Sequence, residues 1–217
     1  MTKVLVLDFD GVIVPSEAIK VEGYARIFSE YGEPVPQGAI ESARDEFSAA
    51  RGNRFDIIRG ILRQGGHNGD LDTAVQEYAR RYSVDVQHRI ESLAVEPAVR
   101  EFLERISKKI PIYVNSNNPD DSLASTLGAL GIRDFFKGIF GSSKSKLDNL
   151  RSIAERENVA PQEILFIGDG EGDRKAAADF GCEFIGVATD MNGWVDTEPF
   201  PTIRSLAELT GLRFAVV

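Results

Sequence analysis

The sequence predicts an α/β fold: a doubly wound, mostly parallel sheet with a helical cap domain inserted after its first strand. Three observations carry this. Short apolar runs recur along the chain and end in polar or acidic residues, as in Val4-Leu5-Val6-Leu7 before Asp8 and Ile164-Leu165-Phe166-Ile167 before Gly168-Asp169. Apolar runs of about 4–8 residues bounded by turn residues read as strands buried on both faces. Helical patterns separate the later runs, the alternation that builds a parallel sheet with helices on both sides. From Ser16 to about Leu93, by contrast, only helical patterns appear.

The strands fall near 3–8, 110–115, 137–140, 164–168 and 184–188. The helical stretch carries patterns over 17–31 (Ala18, Val21, Ala25, Phe28), 37–50, 54–64 and 71–92 (Val75, Tyr78, Tyr82, Val86, Ile90), punctuated by Gly32 and Gly65-Gly66. That is far more helix than a strand crossover needs. The division expected is therefore a core of 1–15 plus 94–217 and a helical cap of 16–93, joined through Val14-Pro15-Ser16 and Leu93–Pro97.

The first strand delivers the most informative residues, Asp8-Phe9-Asp10-Gly11. A buried parallel strand presents its last residues at the carboxyl edge of the sheet, where open α/β folds place ligands. Two acids there repel each other and lose hydration, which a cation offsets. The second half repeats the device in Gly168-Asp169-Gly170-Glu171-Gly172-Asp173, followed by a helical pattern through Ala176, Ala177 and Phe180. Between the two lie Asn115-Ser116-Asn117-Asn118 at the end of a strand and Lys144-Ser145-Lys146 before a helix.

This order resembles the haloacid dehalogenase-like (HAD) superfamily of phosphohydrolases, in the branch of phosphoglycolate phosphatase and β-phosphoglucomutase. Asp8-Phe9-Asp10-Gly11-Val12 matches its first motif, Ser116 the second, Lys146 the third, and Gly168-Asp169 with Asp173 the fourth. The resemblance spans residue 4 to about 190. It implies a Rossmann-like core with a cap between the first and second motifs. It also implies roles. Asp8 is the nucleophile and a metal ligand. Asp10 is the general acid/base, with its carbonyl on the metal. Ser116 binds a phosphoryl oxygen and Lys146 offsets charge. Asp169 binds the metal, and Asp173 holds metal-bound water or the lysine. Lys144 rivals Lys146, which is preferred for lying at the helix start and 23 residues before Asp169.

The chemistry is consistent with those residue types. A carboxylate can attack phosphorus and form an acyl-phosphate, splitting one hard displacement into two easier ones. Attacking and transferring groups are both anionic, so a divalent cation belongs between them. Carboxylate and water ligands suit Mg²⁺. In the cap, Arg51, Asn53 and Arg54 precede an apolar helix, and Arg54 is the candidate for a second anionic group on the substrate. Asn117 is a further candidate substrate contact. Glu17, Lys20, Asn118, His67, His88 and Trp194 read more simply as helix turns, caps or packing.

Composition sets the class. The chain has 217 residues, 42 % hydrophobic and 27 % charged, and a net charge of −9. The acidic balance argues against broad nucleic-acid binding. The single cysteine, Cys182, excludes an internal disulfide and reads as a small hydrophobe. No run approaches the ~18 apolar residues of a membrane span. The N-terminal run ends in acids, unlike a secretory signal. The expectation is a cytoplasmic, Mg²⁺-dependent phosphatase of a small phosphorylated metabolite, monomeric or homodimeric, with no nucleic-acid or membrane partner. A phosphomutase and a non-catalytic binding protein are the alternatives. A dehalogenase is disfavoured, because that branch lacks an acid at the position of Asp10.

Overall fold

The computed structural model describes residues 1–30, 35–36, 38–49 and 53–211, apart from the side chains of 46–49, 210 and 211. Gly32 and Arg51 lie outside the described residues. The chain forms two compact units, Met1–Glu17 with Glu91–Val217, and Ala18–Ile90.

The first unit is an α/β sandwich. Its six strands are β1 (Val4–Leu7), β2 (Ile112–Asn115), β3 (Gly138–Phe140), β4 (Ile164–Gly168), β5 (Glu183–Val187) and β6 (Thr202–Ile203). They form one sheet in the order β3-β2-β1-β4-β5-β6, and every pairing is parallel. β1, β2 and β4 are buried along their whole length. This is why they read as unbroken apolar runs rather than alternating ones. β6 escapes the sequence pattern because two residues show no periodicity.

The chain leaves β1 outward to β2 and β3, then returns to the other side of β1 as β4. That reversal opens a crevice at the carboxyl ends of β1 and β4, the place where doubly wound sheets bind ligands. Register then decides which residues meet there. Leu7 pairs with Val114 on one side and with Ile167 on the other, so the next residue, Asp8, stands between the ends of β2 and β4. The Asp8 amide continues the ladder to the Ile167 carbonyl at 2.8 Å.

The connecting helices are α5 (Pro97–Ser107), α6 (Asp120–Ala129), α7 (Lys146–Glu157) and α8 (Glu171–Phe180). Pro97, which the sequence suggests as the end of a connector, is the first residue of α5. Proline suits that position because its missing N–H would have had no helical partner. α7 starts where Ser145 caps it through the Asp148 amide. It ends at Asn158, the one non-glycine residue at positive φ among those described. α7 and α8 close one face of the sheet. Leu150, Ile153, Ala176 and Ala177 pack there with Val4, Val6, Tyr113 and Phe166.

The second unit is all helical, with α2 (Ala39–Ala49), α3 (Arg54–Gln64) and α4 (Leu71–Glu91), plus most of α1 (Glu17–Glu30). The expected stripe of α4 is its core face: Val75, Tyr78, Tyr82, Val86 and Ile90 are all buried. Two aromatic stacks join α1 to α4, Tyr24 on Tyr82 with centroids 4.3 Å apart and Phe28 on Tyr78 at 4.5 Å. Asn53 caps α3 through the Phe55 and Asp56 amides, and Asp56 accepts in return from the Asn53 amide at 2.9 Å. Among the described residues no helix is long and apolar enough to cross a membrane.

Candidate active site

Four charged side chains converge at the carboxyl edge of β1 and β4. Asp8, Asp169, Asp173 and Lys146 are 7 %, 6 %, 2 % and 9 % exposed. Lys146 Nζ donates to Asp8 Oδ2 at 2.8 Å and also to Asp173 Oδ1. The other Asp173 oxygen accepts from the Gly170 amide at 3.0 Å. One carboxylate oxygen from each of Asp8, Asp169 and Asp173 can be chosen so that all three lie within 4.8 Å of one another. Lys144 is exposed and directed along α7, 3.5 Å from Ser152 Oγ. It is Lys146, therefore, that enters the cluster.

The backbone makes room for this crowding with glycine. Gly11 has φ +70°, and a Cβ there would overlap Asp169 Oδ2. A Cβ on Gly168 would overlap the Cβ of Asp173. The turn after β1 is tied by Gly11 N–H to the Val14 carbonyl at 2.9 Å and Ile13 N–H to the Phe9 carbonyl at 2.9 Å.

Asp10 sits apart from the cluster on its own partners. Ser16 Oγ donates to one of its oxygens, and Asn118 Nδ2 donates to the other at 2.8 Å. Ser16 and Asn118 thus fix the plane of the Asp10 carboxyl. Ser116 is buried, its Oγ accepting from the Asn118 amide at 3.2 Å. Asn115 and Asn149 support this edge from below. Asn149 donates to Asn115 Oδ1 at 2.9 Å, and Asn115 donates to the Lys146 carbonyl at 3.0 Å.

Sequence reasoning passes over three residues that the structure brings to the site. Asn118 reads as a turn and helix cap. The N-cap of α6 is Pro119, and the Asn118 side chain serves Asp10 instead. Asn117 is exposed beside it. Ser16 reads as part of a hinge, yet it holds Asp10. Glu17 reads as a solvated helix turn, yet it stands close enough to Asp169 to push its carboxyl up. Their only signal in sequence is proximity to Asp10 or to a strand end. Three other residues have local partners. Arg54 Nη1 donates to Ser83 Oγ at 2.7 Å within the helical unit. Glu171 is exposed and paired with Arg174. Trp194 packs edge-on against Phe200 and Phe184, at 5.1 and 6.1 Å.

The electrostatics show a shortage of positive charge. Burial is the main force pushing the Asp8 carboxyl up to about 7; Lys146 opposes it, and Asp173 and Asp10 add to it. Asp169 is pushed up to about 9, first by burial and then by Asp8, Glu17 and Asp173. For Lys146 burial favours the neutral amine, but Asp8 and Asp173 outweigh it and hold the ammonium charged. Three buried carboxylates facing one ammonium suit a divalent cation bound through oxygen, and Mg²⁺ takes such donors with retained water. Asp8, Asp169 and Asp173 are the side chains that could hold such a cation.

Comparison with known proteins places the chain. It is 34 % identical over 208 residues to a phosphoglycolate phosphatase of Shigella boydii serotype 4, covering 85 % of this chain and 81 % of that one. It is 27 % identical over 200 residues to a phosphoglycolate phosphatase of Pseudomonas putida, covering 88 % and 71 %. Among solved structures, CbbY from Rhodobacter sphaeroides, in complex with phosphate, shares the fold with a TM-score of 0.74 at 17 % identity, over 98 % of both chains. The sequence pattern of the haloacid dehalogenase-like hydrolases matches residues 2–181, and the chain belongs to that family.

Proposed function

We propose that this hydrolase is a phosphatase of small phosphate monoesters that works through an aspartyl-phosphate on Asp8 with Mg²⁺ as cofactor. The observation that carries the reading is the separation of two acids only two residues apart. Asp8 is drawn into the carboxylate cluster and onto Lys146, whereas Asp10 is held outside it by Ser16 and Asn118. Nucleophilic attack and proton transfer need that division of labour.

In this account an Asp8 oxygen attacks phosphorus and the ester bond to the leaving alkoxide breaks. Asp10 gives the alkoxide its proton. Asp10 then takes a proton from water as that water attacks the acyl-phosphate, which releases phosphate and restores Asp8. Lys146 offsets charge on Asp8 throughout, and the Ser116 hydroxyl is the candidate donor to a phosphoryl oxygen. Mg²⁺ bound at Asp8, Asp169 and Asp173 would supply positive charge at the attacking and transferring oxygens.

The names of relatives support a substrate class. Two are phosphoglycolate phosphatases, and a Thermotoga maritima protein 24 % identical to this chain is a phosphorylated carbohydrates phosphatase. These names support a small phosphorylated acid or sugar. The helical unit is proposed as the cap, with Arg54 and Asn117 as candidate substrate contacts. The test is phosphate release from phosphoglycolate and a panel of sugar phosphates in Mg²⁺, with Asp8→Asn as control. Release that the substitution abolishes supports the reading. Isomerised sugar phosphate in place of free phosphate would point to a phosphomutase.

A further inference from the structure

We infer that Glu17 is a positioning residue of the cation site, tied to it by the loop that follows β5. The inference rests on the proposed assignment of Asp8, Asp169 and Asp173 to Mg²⁺.

A closed ring of contacts carries it. Asn192 Nδ2 donates to the backbone carbonyl of Asp169 at 2.9 Å and to that of Val187 at 2.7 Å. Its Oδ1 accepts from the amides of Thr189 at 3.1 Å and Trp194 at 3.0 Å. The Asn192 side chain thereby folds the segment from 188 to 194 back onto the end of β4. This places the Thr189 hydroxyl 3.4 Å from Glu17 Oε2. Glu17 in turn stands beside the Asp169 carboxyl, and its negative charge helps to push that carboxyl up. The ring therefore runs Asp169, Asn192, Thr189, Glu17 and back to Asp169. One arm fixes the backbone of Asp169 and the other brings Glu17 to its carboxyl.

The ring has no clear purpose as packing. Glu17, Thr189 and Asn192 are only partly buried, and the apolar core of the unit lies between the sheet and its helices. A glutamate set beside a buried carboxylate adds repulsion, which a purely structural design would avoid. Beside a hydrated cation the same carboxylate becomes useful. Mg²⁺ keeps several of its waters when protein-bound, and a carboxylate just outside the ligand set can accept their hydrogen bonds. It also fixes the orientation of the ligand it touches. Glu17 contributes in this way through Asp169 and bound water, and Thr189 keeps it from turning to solvent.

The test is Mg²⁺ binding by calorimetry, without substrate, to the full chain and to Glu17→Gln, Thr189→Val and Asp169→Asn. Outer partners of metal ligands typically contribute ~10–100-fold in affinity. Glu17→Gln is expected to weaken Mg²⁺ about tenfold and Thr189→Val by a smaller factor. In phosphate release, Glu17→Gln should need about tenfold more Mg²⁺ to reach half its own maximum rate. Circular dichroism and thermal melts in the absence of metal confirm that each variant is folded. Unchanged Mg²⁺ affinity in a folded Glu17→Gln protein, with binding abolished in Asp169→Asn, would overturn the role of Glu17 alone. Unchanged affinity in Asp169→Asn would overturn the cation site itself, and the role of Glu17 with it. If Glu17→Gln does not fold, a folded Thr189→Val protein with unaltered Mg²⁺ affinity would overturn the role.

Discussion

Replacing Lys146 by methionine isolates the charge on which the proposed nucleophile depends. The ammonium is 2.8 Å from Asp8 Oδ2 and also bonded to Asp173, and all three groups are less than a tenth exposed. Methionine keeps most of the volume and removes the charge, so the cost is electrostatic rather than a cavity. Removing one partner of a buried ion pair typically destabilises by about 3–5 kcal/mol, because the remaining charge is uncompensated. In a chain of this size each kcal/mol lowers Tm by ~2–4 °C, which predicts a fall of roughly 6–20 °C in metal-free buffer. The loss should depend on pH. Asp8 already has its folded pKa raised to about 7 against an ordinary 3.8, so it favours the protonated form on folding. In the native protein its contribution to stability therefore declines as pH rises from about 4 and levels off above about 7. Without Lys146 the Asp8 value moves higher still, and stability keeps falling beyond that point. The Tm difference should thus widen between pH 6 and pH 9, while excess Mg²⁺ should narrow it. Lys144→Met, at the exposed neighbour, should stay within about 0.5 kcal/mol of the native protein. A metal-free Lys146→Met protein that melts within ~2 °C of the native one at pH 8 would show that the ammonium does not stabilise the cluster.

Three further outcomes follow from the same geometry. Gly11→Ala should cost ~1–2 kcal/mol for its left-handed backbone and should also abolish Mg²⁺-induced stabilisation, because its Cβ would displace Asp169 Oδ2; a melt with and without Mg²⁺ reads both. The metal-free native protein should lose stability as pH rises from about 4 towards 9, since folded Asp8 and Asp169 hold protons up to about 7 and about 9. Every tenfold gain in a carboxylate's proton affinity on folding is worth ~1.4 kcal/mol, so the Tm gain from Mg²⁺ should be larger at pH 9 than at pH 5. Asn118→Ala should lower kcat about tenfold with little change in calorimetric Mg²⁺ affinity, because Asn118 holds Asp10 and not the cluster.

The legible parts of this molecule are those in which local pattern and final environment coincide. β1, β2 and β4 are buried on both faces, so their sequences are unbroken apolar runs. Asp8 and Asp169 stand out because each closes such a run. The face of α4 is equally plain, since Val75 to Ile90 recur at helical spacing. What stays hidden depends on register and on loops returning from a distance. Lys146 is an exception, since its place before a helical pattern and its separation from Asp169 already favour it over Lys144 in sequence. The helix start at Lys146 turns its side chain inward to Asp8 over 138 positions of sequence. Asn118 reaches Asp10 from 108 positions away, and Thr189 reaches Glu17 from 172. No local pattern marks such contacts, and each of these residues types equally well as a turn or a cap. β6, a pairing of two residues with the end of β5, lies below any periodicity that sequence can display.

In the proposed reaction Asp8 carries the phosphoryl group. The most direct measurement is to quench turnover in acid, reduce the trapped acyl-phosphate with borohydride, and map the modified residue by peptide mass spectrometry. Homoserine is expected at position 8, dependent on substrate and Mg²⁺ and absent in Asp8→Asn. Reduction at Asp10, Asp169 or Asp173 instead, or active turnover in Asp8→Asn, would contradict that role of Asp8.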